Sequence, residues 1–184
     1  EQVPASYILC GNGAADLIYA YCAALRPRTA VEPAPTFAEY GLGLAQVGCR
    51  VTPYFLHQAE NFDVDEGFLP FLEEKKPEAV FLCTPNNPTG QTLSLADISR
   101  VLDRCEELGV YAIVDEAYGD FLPREESAVT LGPKYKNIII VRTFSKGFGL
   151  AGLRAGYIIT GQELIRYISK VSNPYMMSEL SREL

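Results

Sequence analysis

The sequence predicts a layered α/β fold built around a largely parallel β-sheet. Short apolar runs, each about as long as one strand, alternate with segments of helical periodicity over nearly the whole chain. This alternation is typical of parallel sheets, because parallel strands need crossover connections. The 184 residues, 48% of them hydrophobic and 21% charged, are enough for one domain with a sizeable core.

Local signals bound several of the predicted elements. Thr36 and Ser94 are candidate N-caps, and Asp97 lies near the positive end of a helix dipole. Pro77 ends one helix, and Gly109 ends another. The predicted strands are 7–10, 29–32, 50–56, 79–83, 110–114, 138–141 and 156–160; the predicted helices are 14–25, 37–47, 68–75, 95–108 and 162–170, with a helix-like segment at 178–184.

Composition argues against several classes of partner. The formal net charge is −7 and no basic patch is present, which disfavours nucleic acid or an anionic membrane as a partner. No signal peptide or membrane span is predicted. The five cysteines are odd in number and lack C-x-x-C spacing, so we expect buried free thiols in a reducing cytoplasm instead of disulfides or a zinc site. They are Cys10, Cys22, Cys49, Cys83 and Cys105.

The candidate functional residues follow predicted strands, at the sheet edge where ligands gather in such folds. The first is the turn Gly11-Asn12-Gly13, which opens a helix and offers backbone amides to an anion. Asp16 stands where a dinucleotide fingerprint has its third glycine, which disfavours an NAD site. The segment is therefore either a simple tight turn or a site for one phosphate on the amides around Gly13, Ala14 and Ala15.

Two other motifs offer an amide and an aromatic ring. The loop Thr84-Pro85-Asn86-Asn87-Pro88-Thr89-Gly90 follows strand 79–83, and its prolines hold an asparagine carboxamide with little entropic cost. A rigid turn without a ligand is the alternative. Phe37 follows strand 29–32 and is predicted either to pack in the core or to stack on a planar heterocycle.

Asp115 ends the apolar run 110–114 and is followed by Glu116 and Tyr118. A carboxylate at that position is desolvated at a cost unless a positive group faces it. A protonated pyridine nitrogen would meet this need, with the phenol of Tyr118 beside the same ring. A magnesium site on the two carboxylates is the alternative. Because His57 is the only histidine and is predicted at the surface, a histidine-rich metal centre is excluded and a Ser-His-Asp hydrolase is disfavoured.

The stretch 143–154 combines a lysine with hydroxyls and a guanidinium. Lys146 follows strand 138–141 together with Thr143 and Ser145, and Arg154 comes eight residues later. A desolvated lysine has a lowered pKa and can form an imine, while hydroxyls and an arginine suit a phosphate. We therefore expect a buried ε-amine, with the buried Asp115 carboxylate across a heterocycle from it. The alternative is a surface lysine beside a flexible turn.

In chain order, these motifs resemble the large domain of the fold-type I, pyridoxal-phosphate (PLP)-dependent aminotransferases of class I/II, in particular histidinol-phosphate aminotransferase and threonine-phosphate decarboxylase. The resemblance covers essentially the whole chain. It rests on Asn86-Asn87-Pro88-Thr89-Gly90, Asp115-Glu116-Ala117-Tyr118, Ser145-Lys146 and Arg154. It implies a three-layer α/β/α domain with a mostly parallel sheet, PLP as the cofactor and no metal.

The resemblance also implies a role for each site residue. Lys146 would hold PLP as a Schiff base and move a proton, and Asp115 would pair with the pyridinium nitrogen. Asn87 and Tyr118 would donate hydrogen bonds to the phenolic oxygen of the cofactor, with Lys146, Asp115 and Tyr118 as the catalytic group. Phe37 would stack on the ring, and the phosphate would be held by the amides of Gly13, Ala14 and Ala15, the hydroxyls of Thr143 and Ser145, and Arg154.

By the same resemblance, we expect an aminotransferase that moves an amino group between an amino acid and a 2-keto acid. A decarboxylase of the threonine-phosphate type and a non-catalytic α/β binding module are the alternatives. Residues 1–172 are expected to belong to the PLP-binding domain, without its N-terminal part, and residues 173–184 to begin an interdomain helix that leads to an absent small domain. We expect the full-length enzyme to be a cytoplasmic homodimer and this chain by itself to turn over poorly or not at all.

Overall fold

A computed structural model describes residues 3–183, and seven strands within them form one mixed sheet of order β1-β7-β6-β5-β4-β2-β3. The pairs among β2 to β6 are parallel, whereas β7 is antiparallel to both of its neighbours, β1 and β6. The predicted, mostly parallel sheet is therefore confirmed. The strands are β1 (Ile8–Gly11), β2 (Thr29–Ala34), β3 (Arg50–Phe55), β4 (Ala79–Cys83), β5 (Tyr111–Asp115), β6 (Ile138–Thr143) and β7 (Gly156–Thr160).

Helices cover both faces of the sheet, which confirms the three-layer α/β/α arrangement. Alternate residues of β4 point to opposite faces. Val80 and Leu82 pack in one core with α3 and α4, and Phe81 packs in the other core with α1, α2 and α5. The helices are α1 (Gly13–Leu25), α2 (Glu39–Gln46), α3 (Phe68–Lys75), α4 (Leu95–Leu108), α5 (Gln162–Ser169) and α6 (Glu179–Glu183). Residue 184 of the predicted helix-like end lies outside the described residues.

The predicted caps of α4 are confirmed. The Ser94 hydroxyl accepts a hydrogen bond from the backbone N–H of Asp97 at 3.1 Å. At the other end, Gly109 takes a left-handed conformation with φ of 68°, which a glycine adopts without a steric penalty. The helix therefore begins and ends where the sequence signals place it.

The predicted N-cap at Thr36 is wrong. The second helix, α2, begins only at Glu39, and Ala38 precedes it without a capping side chain. The Thr36 hydroxyl instead donates a hydrogen bond to Oδ1 of Asn86 at 2.9 Å. The hydroxyl predicted to cap the helix is thus bound by Asn86, which is 50 residues away in the sequence.

The connection between β5 and β6 contains short 3₁₀ turns where the other parallel connections contain an α-helix. Its centre is a buried carboxylate, Glu116, which accepts hydrogen bonds from the Ser127 hydroxyl and the Ala128 N–H, both at 2.6 Å. Arg142 on β6 completes the cluster through an ion pair with Glu116 at 2.8 Å and another with Asp120 at 2.6 Å. These polar contacts hold a segment that has little helical periodicity of its own.

The thiols and the histidine largely follow expectation. All five cysteines are free, and burial raises the pKa of Cys22, Cys83 and Cys105 to about 12. Cys10 departs from the prediction because it is exposed on the edge strand β1. His57 is exposed, as predicted. Among residues 3–183, none of the helices combines the length and the apolar character that crossing a bilayer requires.

Candidate cofactor site

Five strands bring functional residues together at one edge of the sheet. Asp115, the last residue of β5, lies beside Cys83, the last residue of β4. Thr143, the last residue of β6, pairs with Gly156, the first residue of the antiparallel β7, and Gly156 pairs in turn with Gly11 on β1. Strand register alone therefore aligns the predicted carboxylate, hydroxyl and glycine turn along this edge.

Asp115 is a buried carboxylate, 2% exposed. Its Oδ2 accepts a hydrogen bond from the Tyr40 hydroxyl at 2.7 Å, and its Oδ1 accepts one from the Ala117 N–H at 2.8 Å. Burial raises the pKa of the Asp115 carboxyl, and these two hydrogen bonds offset that rise only in part. Within residues 3–183 no lysine or arginine pairs with it. A buried carboxylate in this condition is unfavourable unless a ligand supplies the positive charge.

The neighbouring carboxylate has a different partner. Glu116 is engaged by Arg142 and Ser127, so it does not join Asp115 at a common point. No cluster of three or more potential metal-ligating side chains is found in the described part of the chain. The magnesium alternative for Asp115 and Glu116 therefore has no support in the geometry.

Lys146 and Tyr118 lie close to each other. The Lys146 Nζ is 5.3 Å from the centroid of the Tyr118 ring, a cation–π contact. The expectation of a buried ε-amine is wrong for this chain, however, because Lys146 is exposed. Every residue from 146 to 152 is exposed in succession, since no described segment covers this loop at the sheet edge.

The Arg154 guanidinium lies directly over the glycine turn. A Cβ atom at Gly13 would approach Arg154 Nη2 to 2.4 Å, and Nη2 donates a hydrogen bond to the Asn12 carbonyl at 3.2 Å. Within residues 3–183, Arg154 forms no ion pair with a carboxylate. A glycine with φ of 81° opens α1 at this point, so backbone amides and a guanidinium converge there. Such a combination suits a phosphate.

Close strand–helix packing holds this turn in place. A Cβ atom at Gly156 would lie 2.7 Å from the Ala14 backbone nitrogen, so only glycine allows β7 to approach the start of α1. On the next strand, the Thr143 hydroxyl donates to the Ser145 hydroxyl at 3.0 Å and accepts the Ser145 N–H at 3.2 Å. The two predicted phosphate-binding hydroxyls are therefore joined. Ala15, the third predicted amide, lies in the first turn of α1.

The two asparagines of the loop 84–90 differ in their hydrogen bonds. Asn86 secures the loop, because its carboxamide binds Thr36, the Pro35 carbonyl and Thr89 at 2.8 to 3.0 Å. The Asn87 side chain makes no hydrogen bond to any other described residue, and it is half-buried. Asn87 is therefore the one with donors left for a ligand, and its role at the cofactor stays a prediction.

Phe37 is half-buried and packs edge-on against Tyr40, with ring centroids 5.7 Å apart and an interplanar angle of 82°. It also borders the core beneath α1 and α2. This position is compatible with both predicted roles, core packing and stacking on a ligand ring. Through Tyr40, Phe37 is linked to the Asp115 carboxylate.

Two residues of this region are absent from the predicted set. Tyr40 reaches Asp115 across 75 residues of sequence, and no local pattern announces that contact. Arg142 could have been found from the sequence, because an arginine within an apolar strand is rarely buried without charged partners. Its side chain is 6% exposed and holds Glu116 and Asp120.

A groove lies at the opposite edge of the sheet, where the parallel strands β5 and β6 begin. It has a volume of about 920 Å³ and is lined by Tyr111, Asn137 and Gly161, among other residues. None of the predicted site residues lines it. The chemistry-bearing side chains therefore gather on an open edge and not in this groove.

The side chains at the carboxyl edge suit the functional groups of PLP one by one. Arg154, the glycine turn and the two hydroxyls offer donors to a phosphate, and Asp115 offers an uncompensated negative charge to a pyridinium nitrogen. Lys146 offers an amine to an aldehyde. The residues present therefore fit this cofactor.

Comparison with known proteins decides the family. The profile described as "Aminotransferase class I and II" matches residues 1–184. The chain belongs to the class I and II aminotransferases. This family is PLP-dependent, which confirms the cofactor that the resemblance implies. The role of each individual residue remains a prediction.

Relatives of this aminotransferase-family chain include two enzyme types. Threonine-phosphate decarboxylase from Salmonella typhimurium is 37% identical over 163 residues, which are 89% of this chain and 44% of the relative. Histidinol-phosphate aminotransferase from Thermoanaerobacter pseudethanolicus is 34% identical over 177 residues, 95% of this chain and 49% of the relative. The chain thus spans about half the length of the curated relatives it matches.

Solved structures support the fold. The crystal structure of histidinol-phosphate aminotransferase from Clostridium acetobutylicum matches with a TM-score of 0.87 at 27% identity. The match covers 96% of this chain and 52% of that structure. Both the predicted family and the predicted fold are therefore confirmed.

Proposed function

We propose that this chain binds PLP through Lys146 and serves an enzyme that moves an amino group between an amino acid and a 2-keto acid. One observation carries the proposal: Asp115 is a buried carboxylate without a cationic partner among the described residues, at the sheet edge that also carries Lys146 and Arg154. A pyridinium nitrogen supplies the missing positive charge. Membership of a PLP-dependent family and the aminotransferase relatives support this reading.

Each residue is proposed to act on a stated part of the cofactor. PLP, when bound, supplies an aldehyde that condenses with amines and a protonated ring that accepts electrons. Asp115 would hold the proton on the ring nitrogen, and Lys146 would bind at the aldehyde carbon and carry a proton to and from the substrate. Asn87 and Tyr118 would donate hydrogen bonds to the phenolic oxygen, and Phe37 would cover one face of the ring.

The phosphate would lie against the start of α1. Arg154, which forms no ion pair with a carboxylate in residues 3–183, would contribute a guanidinium. The amides of Gly13, Ala14 and Ala15 and the hydroxyls of Thr143 and Ser145 would contribute neutral donors. Because charge-assisted hydrogen bonds are the stronger kind, Arg154 should provide the largest share of this affinity.

The domain assignment and the surroundings of the enzyme are also proposals. Residues 1–172 would be part of a PLP-binding domain, and residues 173–184 would begin an interdomain helix. In the described part of the latter range, turns are followed by the short helix α6 (Glu179–Glu183). A cytoplasmic homodimer that acts on small amino acids and keto acids is the assembly we propose for the full-length enzyme.

Covalent labelling tests the lysine. When the chain is mixed with PLP near stoichiometric concentration and reduced with borohydride, we expect wild type to gain one PLP adduct, located by mass spectrometry on the peptide that carries Lys146. Lys146→Ala should lose this adduct and the accompanying visible absorbance, because Lys146 is the lysine that the described residues place on the loop after β6, at the edge that carries Asp115 and Arg154.

Lys170→Ala is the matched control for this experiment. Lys170 is also exposed and lies over a tyrosine ring, with its Nζ 5.8 Å from the Tyr167 centroid, but it is on the segment after α5. This variant should label as wild type does. Equal labelling of Lys146→Ala and wild type would contradict the proposal.

A decarboxylase is the second candidate, because the relative at 37% identity is a threonine-phosphate decarboxylase. The bond that breaks depends on how the substrate is oriented, and the described site residues all serve the cofactor. Assaying the PLP-loaded protein with threonine phosphate and with histidinol phosphate separates the two functions. A transferase should form glutamate from 2-oxoglutarate without releasing carbon dioxide, whereas a decarboxylase should release carbon dioxide without consuming the keto acid.

A further inference from the structure

Tyr40 makes a buried contact with the carboxylate of the proposed cofactor site. Its side chain is 0% exposed, and its hydroxyl donates a hydrogen bond to Asp115 Oδ2 at 2.7 Å. The other carboxylate oxygen, Oδ1, accepts the Ala117 N–H at 2.8 Å. Both oxygens are thus held by donors, which defines the plane in which the Asp115 carboxylate lies.

The same side chain also contacts the proposed stacking residue. The Tyr40 ring meets the Phe37 ring edge-on, with centroids 5.7 Å apart, and packs against Phe81 at 5.2 Å. Tyr40 therefore joins the group proposed to face the ring nitrogen to the group proposed to cover the ring. It does so from α2, while Asp115 is on β5.

A second buried tyrosine, Tyr21, packs in the same core and serves as a comparison for Tyr40. Tyr21 on α1 is also 0% exposed and also packs against Phe81, with centroids 6.0 Å apart. Its hydroxyl has no hydrogen-bond partner among the described residues. The core thus accommodates a tyrosine without using its hydroxyl, so the Tyr40–Asp115 bond is not a requirement of packing against Phe81.

We propose that Tyr40 is a positioning residue for the cofactor, which orients the Asp115 carboxylate and keeps it ionised for pairing with the pyridinium nitrogen. This inference rests on the proposed function. Without the hydroxyl, the Ala117 N–H would be the one donor left to the carboxylate among residues 3–183, and the carboxylate would be more weakly oriented and more easily protonated.

Several titratable groups lie around Asp115, and two of them, Tyr40 and Glu116, shift its pKa. Tyr40 approaches from α2, Tyr21 from α1 and Cys83 from β4, and Glu116 follows it in sequence. Burial raises the pKa of Asp115, the negative charge of Glu116 adds to the rise, and the hydrogen bonds from Tyr40 and Ala117 lower it. Removal of the Tyr40 hydroxyl should therefore move this pKa further upward.

Tyr40→Phe tests the inference, because it removes one hydroxyl and keeps the contacts with Phe37 and Phe81. The PLP dissociation constant should rise about tenfold at neutral pH, as expected for loss of a hydrogen bond to a charged group. On acidification, the loss of PLP affinity should begin at a higher pH in the variant than in wild type, because the Asp115 carboxylate is then protonated at a higher pH. Titration of the visible absorbance from about pH 5 to pH 8 measures both effects.

The cofactor-free chain offers a second readout. Because the folded pKa of Asp115 is raised, its ionisation opposes folding as pH increases, and a further rise in that pKa enlarges the effect. Tyr40→Phe should therefore lose more stability relative to wild type near neutral pH than at about pH 5. A role in packing alone would give the same loss at both pH values.

Tyr21→Phe is the matched control and should leave PLP affinity and its pH profile unchanged. Wild-type affinity and an unshifted profile in Tyr40→Phe would overturn the Tyr40 inference while leaving the proposed function intact. If the wild-type chain formed no Lys146 adduct, the proposed function and the Tyr40 inference would both be overturned. A pH-independent loss of stability in Tyr40→Phe, with an unchanged affinity profile, would reduce Tyr40 to a core residue.

Discussion

Asp115→Asn is expected to weaken PLP binding at least a hundredfold while making the cofactor-free chain more stable. Breaking a buried charge pair costs about 3–5 kcal/mol, which is the basis of the expected loss of affinity. In the free chain, the same substitution removes a buried charge that lacks a cationic partner within residues 3–183. The asparagine can accept the Ala117 N–H and donate to the Tyr40 oxygen, so it should raise the free energy of unfolding by about 1 kcal/mol.

The size of this stabilisation by Asp115→Asn depends on pH. Burial raises the pKa of Asp115 above its ordinary value, so the stability it contributes is present at low pH and is lost as pH rises through the folded pKa. Asparagine does not titrate. The advantage of Asp115→Asn should therefore appear near neutral pH and disappear in acid, as urea unfolding at several pH values would show.

Glu116→Gln is the matched comparison, because Glu116 is an equally buried carboxylate that does have a cation, Arg142, at 2.8 Å. This variant should destabilise the chain where Asp115→Asn stabilises it. If both substitutions destabilised the cofactor-free chain equally, Asp115 would be a structural carboxylate and not one kept for a ligand.

Arg142→Met is expected to cause the largest loss of stability, about 3–5 kcal/mol, because it leaves Glu116 buried without its cation. Arg142 also holds Asp120 at 2.6 Å, and the Asp120 side chain lies against Gly147, where an added Cβ would come within 2.4 Å of it. The cluster thus supports both the turn after Tyr118 and the loop after Lys146. Urea unfolding, with an unchanged slope against denaturant concentration, measures the effect.

Two further variants show whether charge is the cause. The double variant Arg142→Met with Glu116→Gln should be more stable than Arg142→Met alone, because the unpaired charge is then absent. Arg28→Met removes the partner of Glu78 in a surface ion pair. The Arg28 side chain is 88% exposed, so this variant should change stability little. If the double variant were less stable than Arg142→Met, lost packing and not an unpaired charge would explain the result.

Short-range patterns predicted most of the architecture. Alternating strand and helix signals located each of the seven strands of the sheet to within two residues at either end. The caps of α4 at Ser94 and Gly109 were predictable because a cap is a contact between near neighbours. Thr36 was mispredicted because its hydroxyl binds Asn86, far away in sequence.

The site was predictable to the extent that strand ends share an edge. Asp115, Thr143 and the glycine turn were expected to meet, and the strand register aligns them along one edge. Tertiary contacts decide three other features of the site. They determine which of two adjacent asparagines keeps free donors and which of two adjacent carboxylates is paired with a cation. They also leave Lys146 exposed in this chain. No spacing in the sequence encodes them.

By itself, then, the sequence determined the layered fold, the family motifs and the edge of the sheet where chemistry is placed, because these depend on periodicity and on residues close together along the chain. The tertiary structure alone decided how charge is compensated. Arg142 comes from β6 to neutralise Glu116, while among the described residues Asp115 receives the hydroxyl of Tyr40 and the amide of Ala117 and no cation. Coulomb and hydrogen-bond energies depend on distance in space, and residues 26 and 75 positions apart become neighbours only when the sheet assembles.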